Sequence, residues 1–218
     1  MRAQRLILIA AIVLAVGYGW LRGAYASFGS PAAAAVQQGS GNRGLQKATL
    51  AAGCFWCVEA DFDKLKGVVE TISGYTGGQV KNPTYEQVSF GGTGHTEAVE
   101  ILFDPAVVTY EQLLDHYWRN VDPFAANRQF CDVGSQYRPE IFVHGDAQRA
   151  AAESSKKRVQ QRFSQPIVVK ITEAGPFYRA EAYHQDYHNT HSIQYRYYRW
   201  RCGRDARLEQ IWGGRSTS

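Results

Sequence analysis

Apolar residues along this chain fall into short runs that alternate with stretches of helical periodicity. Continuous or alternating apolar positions predict strands at residues 48–52, 67–73, 97–103, 141–144 and 166–173. Apolar residues at three- and four-residue spacing predict helices directly after residue 54 and at residues 84–90, 109–119 and 146–163. Because the two kinds of segment alternate, the pattern predicts a single α/β or α+β domain.

Two long segments carry no clear period. Residues 121–138 are expected to form a long functional loop, since loops of that length without secondary structure are usually functional. The segment from Gly175 onward is rich in Tyr, His and Arg. We expect it to be a long irregular C-terminal tail that wraps the domain.

The first 26 residues have the pattern of a secretory signal peptide. Arg2 and Arg5 precede an apolar run at residues 6–16, and Ala24-Tyr25-Ala26 offers small residues for cleavage. An uncleaved N-terminal anchor is the alternative. Residues 27–46 are rich in Gly, Ser, Ala and Gln and predict a flexible linker, which leaves residues 47–218 for the folded domain. Both interpretations predict an exported protein, periplasmic or otherwise extracytoplasmic, which contacts the inner membrane only if the anchor remains.

Composition and charge argue against a nucleic-acid-binding protein. The chain has 218 residues, of which 44% are hydrophobic and 20% are charged, as in an ordinary globular protein. Loss of Arg2, Arg5 and Arg22 with the signal would lower the formal charge by three units, from +4 to +1. A balance so close to neutral gives no support for nucleic-acid binding. A monomer is the default expectation.

The stretch that follows the first strand is the strongest candidate for chemistry. Cys54 lies at a strand-to-helix switch, where unpaired backbone N–H groups and the helix dipole favour a negative charge. Such a position lowers the pKa of a thiol, and the thiolate is the nucleophile. Phe55 and Trp56 could hold a small methyl-bearing group between apolar walls. The alternatives are a buried core cysteine or one half of a structural disulfide with Cys57.

A thiol nucleophile needs a proton donor and groups that hold a polar oxygen. Glu97 opens an apolar strand, and a carboxyl among apolar residues has a raised pKa and serves as a general acid. An edge carboxylate that faces water is the alternative. Tyr85, Tyr137 and Asp132 offer further polar groups, although packing tyrosines and a loop acid would explain the same residues. These physical arguments make each of the four residues a candidate for catalysis and do not rank them.

Five sequence blocks resemble the A-type peptide methionine sulfoxide reductases and occur in the order found in that family. The blocks are Gly53-Cys54-Phe55-Trp56, Gly74-Tyr75-Thr76-Gly77-Gly78, Asn82-Pro83-Thr84-Tyr85, Gly94-His95-Thr96-Glu97-Ala98-Val99 and Gly134-Ser135-Gln136-Tyr137-Arg138. The similarity runs from about residue 49 to about residue 213, nearly the whole predicted domain. Five blocks in register are a far more specific signal than any one of them.

The resemblance implies both a fold and a reaction. The implied fold is a two-layer α/β domain with a mixed sheet flanked by helices, related to ferredoxin-like topology. The implied reaction is reduction of the S epimer of methionine sulfoxide, free or in proteins, without a metal or an organic cofactor. By position, Cys54 matches the nucleophile and Glu97 matches the acid that protonates the sulfoxide oxygen.

The same resemblance assigns the residues around this pair. Tyr85 and Tyr137 match the hydroxyl groups that hydrogen-bond the sulfoxide oxygen, and Phe55 and Trp56 line the methyl pocket. Asp132 occupies the position of an acid near the backbone amide of the substrate. The assignment is chemically coherent, because a carboxyl buried among aromatic residues stays protonated near neutral pH.

Attack on the sulfoxide would leave a sulfenic acid on Cys54, which another thiol must resolve. Cys202, in the C-terminal tail, lies where many family members keep a recycling cysteine. Cys57 is one helical turn from Cys54 and within reach of a disulfide, at a position where many members have glycine. Cys131 is a third candidate, and a relay through two of these cysteines is a further alternative. The final electrons are expected from a thioredoxin-like reductant.

Two other functions are alternatives to the reductase. Cys54 and Cys57 form a CxxC motif after a strand, as in disulfide oxidoreductases, although bulky Phe and Trp residues lie between them. A structural zinc site is the other alternative, and its ligands would come from Cys54, Cys57, His184, His188 and Cys202. Haem attachment is excluded, because Val58 and not histidine follows the second cysteine.

Overall fold

The computed structural model describes residues 44–213. The predicted signal peptide or anchor lies outside these residues, as do most of the predicted linker and the last residues of the chain, 214–218. No helix within the described range is long and apolar enough to span a bilayer.

A six-stranded mixed sheet forms the centre of the fold. Its strands, in spatial order, are β7 (Lys170–Glu173), β6 (Glu140–Val143), β1 (Gln46–Ala51), β3 (Thr96–Phe103), β2 (Val68–Thr76) and β8 (Tyr178–Arg179). Neighbouring strands are antiparallel except β6 and β7, which are parallel. A separate hairpin consists of β4 (Arg128–Gln129) and β5 (Asp132–Val133). The mixed α/β class is confirmed, and the ferredoxin-like topology stays a prediction.

Helices follow most of the strands, as the alternating pattern predicted. Across residues 44–213 they are α1 (Phe55–Phe62), α2 (Tyr85–Phe90), α3 (Tyr110–Arg119), α4 (Asp146–Gln160), α5 (Tyr187–Thr190), α6 (Ser192–Arg201) and α7 (Arg204–Trp212), with 3₁₀ turns at Ser135–Tyr137 and Ala182–His184. Thr84 and Thr109 cap α2 and α3, each in a reciprocal pair with the glutamine three residues on. These caps explain why both helices begin where the sequence predicted.

The hydrophobic core lies between the sheet and helices α1, α3 and α4. β3 is buried along nearly its whole length, and the apolar face of α3 contributes Leu113 and Leu114, which are fully buried. Trp118 of α3 donates its Nε1–H to Ser155 Oγ of α4 at 2.9 Å, so a buried hydrogen bond ties the two helices together. The junction of β1 and α1, which carries Cys54, therefore rests on closely packed elements.

The C-terminal tail is helical, and the prediction of an irregular tail is wrong. It contains α5, α6 and α7. In α6 only Tyr195 is buried, so aromatic and arginine side chains surround the helix without a continuous apolar stripe. A helix of this kind shows no clear period in its sequence.

Two other predicted segments differ from the structure in detail. Strand β7 begins at Lys170 and not at Pro166. The segment just before it pairs elsewhere, since the Val168 N–H donates to the Pro123 carbonyl at 2.9 Å. Residues 121–138 are not a plain loop, because they contain the β4–β5 hairpin and the 3₁₀ turn at Ser135–Tyr137.

Candidate active site

Cys54 lies where β1 ends and α1 begins. It is the N-cap residue of α1, and its carbonyl accepts hydrogen bonds from the backbone N–H groups of Cys57 and Val58. Gly53 precedes it with a φ of +87°, and a Cβ at that position would collide with the Gln129 side chain. Cys54 itself is only 6% exposed. The predicted strand-to-helix position of the thiol is confirmed, and the thiol is well shielded from water.

The Cys57 thiol is the direct partner of the Cys54 thiol. Cys57 is one turn further along α1, is 2% exposed, and shares a hydrogen bond with Cys54. Burial raises the pKa of Cys54, whereas the hydrogen bond from Cys54 lowers the pKa of Cys57. The prediction that the helix N-terminus lowers the pKa of Cys54 is therefore wrong for this reduced pair, because desolvation outweighs the dipole. The thiolate is favoured on Cys57.

Two arginines of the C-terminal tail favour negative charge on Cys57. After the hydrogen bond from Cys54, the charges of Arg204 and Arg199 lower the pKa of Cys57. Arg204 is only 2% exposed. Asp61 holds both guanidinium groups, with Oδ1 2.9 Å from Arg199 Nη1 and Oδ2 3.7 Å from Arg204 Nη2. The tail thus supplies positive charge to the cysteine pair, which the sequence did not predict.

Glu97 is a buried carboxyl next to the Cys54 thiol. It is 3% exposed on β3, and its Oε2 accepts the backbone N–H of Phe55 at 2.9 Å. Burial raises the pKa of Glu97 to about 8, although the hydrogen bond from Phe55 opposes the rise. Glu97 is therefore protonated at neutral pH and available as a proton donor. The structure places a buried acid at this position and not an edge carboxylate facing water.

Tyr85 and Tyr137 lie near the same thiol and carboxyl. Burial raises the pKa of both tyrosines, and negative charge on Glu97 and Cys54 raises it further. Tyr85 opens α2, where its backbone N–H donates to Glu181 Oε1 at 2.8 Å. The structure thus brings two protonated hydroxyl groups to the acid and the thiol.

Phe55 and Trp56 form an aromatic wall that the C-terminal tail holds in place. Trp56 stacks on Tyr187 with 3.8 Å between ring centroids and 10° between ring planes. Its Nε1–H donates to His184 Nδ1 at 3.1 Å, and the His184 ring lies 4.9 Å from the ring of Phe55. The sequence did not predict His184 and Tyr187 as parts of this wall. The density of aromatic residues in the tail was the one signal that could have indicated them.

Asp132 reaches the site from the β4–β5 hairpin and is held by α6. Its Oδ2 accepts a hydrogen bond from the Tyr198 hydroxyl at 2.6 Å. Tyr198 also hydrogen-bonds the Cys54 thiol, and its ring meets Trp56 edge-on at 5.8 Å. Burial raises the pKa of Asp132, and the hydrogen bond from Tyr198 opposes the rise. The sequence missed Tyr198, because nothing local distinguishes it among 13 tyrosines.

The four cysteines divide into a disulfide and a pair of free thiols. Cys131 and Cys202 are joined, while Cys54 and Cys57 are free. The sequence named Cys131 and Cys202 only as candidates for resolving Cys54 and did not pair them. In this state, Cys57 is the one cysteine that offers Cys54 a thiol.

The residues of the alternative zinc site do not converge. His184 accepts its hydrogen bond from Trp56, and His188 Nε2 lies 3.3 Å from Asp63 Oδ2. Between residues 44 and 213, one group of three metal-ligand side chains meets, namely Cys131, Asp132 and Cys202. Two of those ligands are already bonded to each other in the disulfide, so the group has lost its thiolates.

Sequence comparisons find many similar proteins. A family model described as peptide methionine sulfoxide reductase matches residues 46–216. The peptide methionine sulfoxide reductase MsrA of Bacillus licheniformis is 52% identical over 168 residues, which cover 76% of this chain and 93% of that protein. The MsrA of Listeria welshimeri is 48% identical over 172 residues, which cover 78% of this chain and 97% of that protein.

Two solved structures have a fold similar to that of this chain. Mxr1 from Saccharomyces cerevisiae in reduced form aligns with a TM-score of 0.65 and 31% identity, covering 68% of this chain and 86% of that one. Methionine sulfoxide reductase A of Corynebacterium diphtheriae aligns with a TM-score of 0.63 and 32% identity, covering 69% of this chain and 76% of that one.

Proposed function

This chain belongs to the peptide methionine sulfoxide reductase family, and from that membership we propose how its buried thiol and carboxyl act. The chain catalyses the thiol-dependent reduction of methionine sulfoxide, as its relatives of about 50% identity indicate. The observation that carries the mechanism is the hydrogen bond from the Phe55 N–H to Glu97. This bond holds a protonated carboxyl directly beside Cys54.

The first step is attack of the Cys54 sulfur on the sulfoxide sulfur, while the proton of the Cys54 thiol passes to the Cys57 thiolate that shares a hydrogen bond with it. Sulfoxide oxygen is a poor leaving group until it is protonated, so Glu97 donates its proton to that oxygen as the new S–S bond forms. A general acid is most effective when its pKa lies near the working pH, and the pKa of Glu97 is about 8. Collapse of the adduct gives methionine and a sulfenic acid on Cys54, so the oxygen and two oxidising equivalents pass to the enzyme.

Three sets of contacts position the sulfoxide for this step. The hydroxyl groups of Tyr85 and Tyr137 hydrogen-bond the sulfoxide oxygen, because both stay protonated beside Glu97. Phe55 and Trp56 receive the methyl group. Asp132 accepts the backbone N–H of the substrate, and this geometry selects the S epimer.

Cys57 resolves the sulfenic acid. Its sulfur attacks the Cys54 sulfur and its thiol proton passes to the departing oxygen, so the Cys54–Cys57 disulfide forms and the oxygen leaves as water. The lowered pKa of Cys57, caused by the hydrogen bond from Cys54 and by Arg204 and Arg199, supports this role. Cys202 is the weaker candidate, because its sulfur is bonded to Cys131.

A thioredoxin-like dithiol then returns the enzyme to the reduced state. The dithiol gives two electrons and two protons to the Cys54–Cys57 disulfide and becomes a disulfide itself. We place this cycle outside the cytoplasm, where the enzyme repairs oxidised exported proteins. The support for that location is the basic and apolar start of the sequence.

The direct test uses purified protein with dithiothreitol and the separate S and R sulfoxides of a blocked methionine. We expect methionine to form from the S epimer only, and we expect Cys54→Ser to abolish it. Turnover of the R epimer would contradict the proposed geometry, and turnover by the serine variant would contradict Cys54 as nucleophile.

A further inference from the structure

Two segments that meet beside the substrate site are also joined covalently. The β4–β5 hairpin contains Cys131 and Asp132, while α6 contains Tyr198 and has Cys202 as its C-cap. The Cys131–Cys202 disulfide and the 2.6 Å hydrogen bond from Tyr198 to Asp132 connect these segments. The catalytic cycle described above uses neither sulfur of the disulfide.

The tip of the hairpin has a backbone conformation that needs support. Phe130 has a φ of +53°, in the left-handed region that bulky side chains rarely adopt. The Arg204 guanidinium lies over the Phe130 ring, 4.4 Å from its centroid. The disulfide holds the next residue, Cys131. The C-terminal tail therefore fixes the hairpin tip at two neighbouring points.

From this tip, two hydrogen bonds lead to the reacting sulfur. Tyr198 donates to Asp132 and also hydrogen-bonds the Cys54 thiol. If the hairpin and α6 move apart, the carboxyl of Asp132 and the hydroxyl of Tyr198 cannot both keep their places in the site. The disulfide closes the two segments around this contact.

The two sulfur pairs of the enzyme differ in their access to solvent. Cys131 is exposed, whereas Cys54 and Cys57 are buried. An external dithiol can therefore reach Cys131 directly, and exposed disulfides are the more easily reduced ones. The reduction breaks the Cys131–Cys202 bond, leaves two thiols, and closes a disulfide in the dithiol.

We propose that the Cys131–Cys202 disulfide is a redox-sensitive clamp that sets the affinity of the site for methionine sulfoxide. With the clamp closed, Asp132 and Tyr198 are held where the substrate backbone binds. With the clamp open, they separate more freely and the substrate binds more weakly. The proposal rests on the proposed function, because it takes Asp132 as a contact of the substrate.

Thermodynamic linkage gives the clamp a property that a merely structural disulfide lacks. If opening the clamp weakens sulfoxide binding by some factor, bound sulfoxide must make the disulfide harder to reduce by the same factor. Couplings between sites typically amount to a factor of roughly 5 or more. The same factor should therefore appear in two independent measurements.

The experiment uses the full chain with Cys54→Ser and Cys57→Ser together, which leaves Cys131 and Cys202 as its only cysteines. The protein is equilibrated in buffers of reduced and oxidised dithiothreitol, with and without a saturating blocked methionine S-sulfoxide. Alkylation and intact mass give the reduced fraction. We expect bound sulfoxide to raise the ratio of reduced to oxidised dithiothreitol at half-reduction by about fivefold or more. Calorimetric titration should show an equal loss of affinity when the disulfide is open.

Two controls connect the effect to the Asp132–Tyr198 contact. Adding Tyr198→Phe removes the hydroxyl that joins α6 to the hairpin, so both effects should shrink together towards a factor of about 1. The R sulfoxide, which the site is expected to reject, should not shift the reduction of the disulfide. Thermal unfolding of each variant confirms that the comparison is made between folded proteins.

Equal sulfoxide affinity with the disulfide closed and open would overturn the clamp. So would a Cys131→Ala, Cys202→Ala double variant that binds sulfoxide normally but cannot be recycled by a dithiol protein, because the disulfide would then be an electron relay. Failure of the proposed function looks different. In that case wild type would not reduce the sulfoxide, and the variant would bind it in neither state, which would overturn both proposals.

Discussion

A carboxyl that acts as a proton donor must be protonated at the working pH, and Glu97 meets this condition because it is buried. Its pKa of about 8 arises from desolvation, which the hydrogen bond from Phe55 only partly offsets. The Glu97 carboxyl is fully protonated well below pH 8 and loses its proton as the pH rises through that value. The single-turnover rate of sulfoxide reduction should therefore fall on the alkaline side with an apparent pKa of about 8.

Replacement of Glu97 by Gln should remove this alkaline limb of the pH–rate profile. It should also slow sulfoxide reduction by a factor of roughly 10² or more, the usual effect of losing a general acid. Glu59 offers a matched control, since burial also raises its pKa to about 8. Glu59 is not a residue of the proposed site, so Glu59→Gln should keep the limb. Stopped-flow measurements of methionine formation across pH 6 to 10 would check this; a wild-type rate in Glu97→Gln would refute the assignment.

The choice between resolving cysteines is also made at the scale of single residues. Because Cys57 carries the lowered pKa and Cys202 is held in a disulfide, Cys57→Ser should form one equivalent of methionine and then stall with a dithiol protein as reductant. A sulfenic-acid trap should label Cys54 in the stalled enzyme. Cys202→Ser should continue to turn over, although it needs more sulfoxide for half-saturation. The reverse behaviour would move the resolver to Cys202.

The sequence located site residues where a motif surrounds them and missed those that enter the site from distant segments, while the catalytic roles stay predictions. Cys54 and Glu97 lie in recognisable blocks, and the structure brings them together. Tyr198 enters the site from a helix 144 residues beyond Cys54 in a segment without a motif. The direction of the Cys54 pKa shift was predicted wrongly, since the sequence indicates a helix N-terminus and gives no measure of burial.

At the scale of elements, the caps of two helices allow a test of how α2 contributes to the site. Thr84 and Thr109 make the same reciprocal capping pair with a glutamine. Replacing either by Ala should cost about 1 kcal/mol of unfolding free energy. Only α2 begins with Tyr85, so Thr84→Ala should also slow sulfoxide reduction, while Thr109→Ala should not. Urea unfolding and single-turnover kinetics of both variants measure the two effects, and equal kinetics would show that the cap does not position Tyr85.

Elements with a strong apolar period were predicted closely, and those without one were missed. Strand β3 and helix α3 have continuous or periodic apolar positions because one side of each packs in the core. Helix α6 buries only Tyr195. It is held against α1 by aromatic and ionic contacts, namely Tyr198 with Trp56 and Arg199 with Asp61. Such contacts depend on residues distant in the sequence and leave no local period.

The whole molecule depends on this C-terminal tail more than the sequence suggested. The tail supplies His184 and Tyr187 to the aromatic wall, Tyr198 to Asp132 and Arg204 to the cysteine pair. It was expected to wrap the domain, and its contacts do reach Ala52, just after β1, and Arg119 at the end of α3. What could not be predicted is that these contacts enter the site itself.

Arg204 is the clearest test of that dependence. It is 2% exposed and donates to the carbonyl groups of Ala52 and Asn120 at 3.2 and 2.6 Å. Breaking a buried charge network by removing one partner costs about 3 kcal/mol, so Arg204→Met should lower the unfolding free energy by about that amount. It should also slow the alkylation of Cys57 near neutral pH, because Cys57 loses a charge that lowers its pKa.

Arg207 is the matched control, one turn further along α7. Its side chain is 43% exposed and pairs with Asp122 at 2.8 Å, and exposed ion pairs contribute only about 0–1 kcal/mol. Arg207→Met should therefore change stability little and leave the alkylation rate of Cys57 unaltered. If both variants lost similar stability and neither slowed alkylation, the tail would be a surface covering, and its charge would have no part in the reactivity of the cysteine pair.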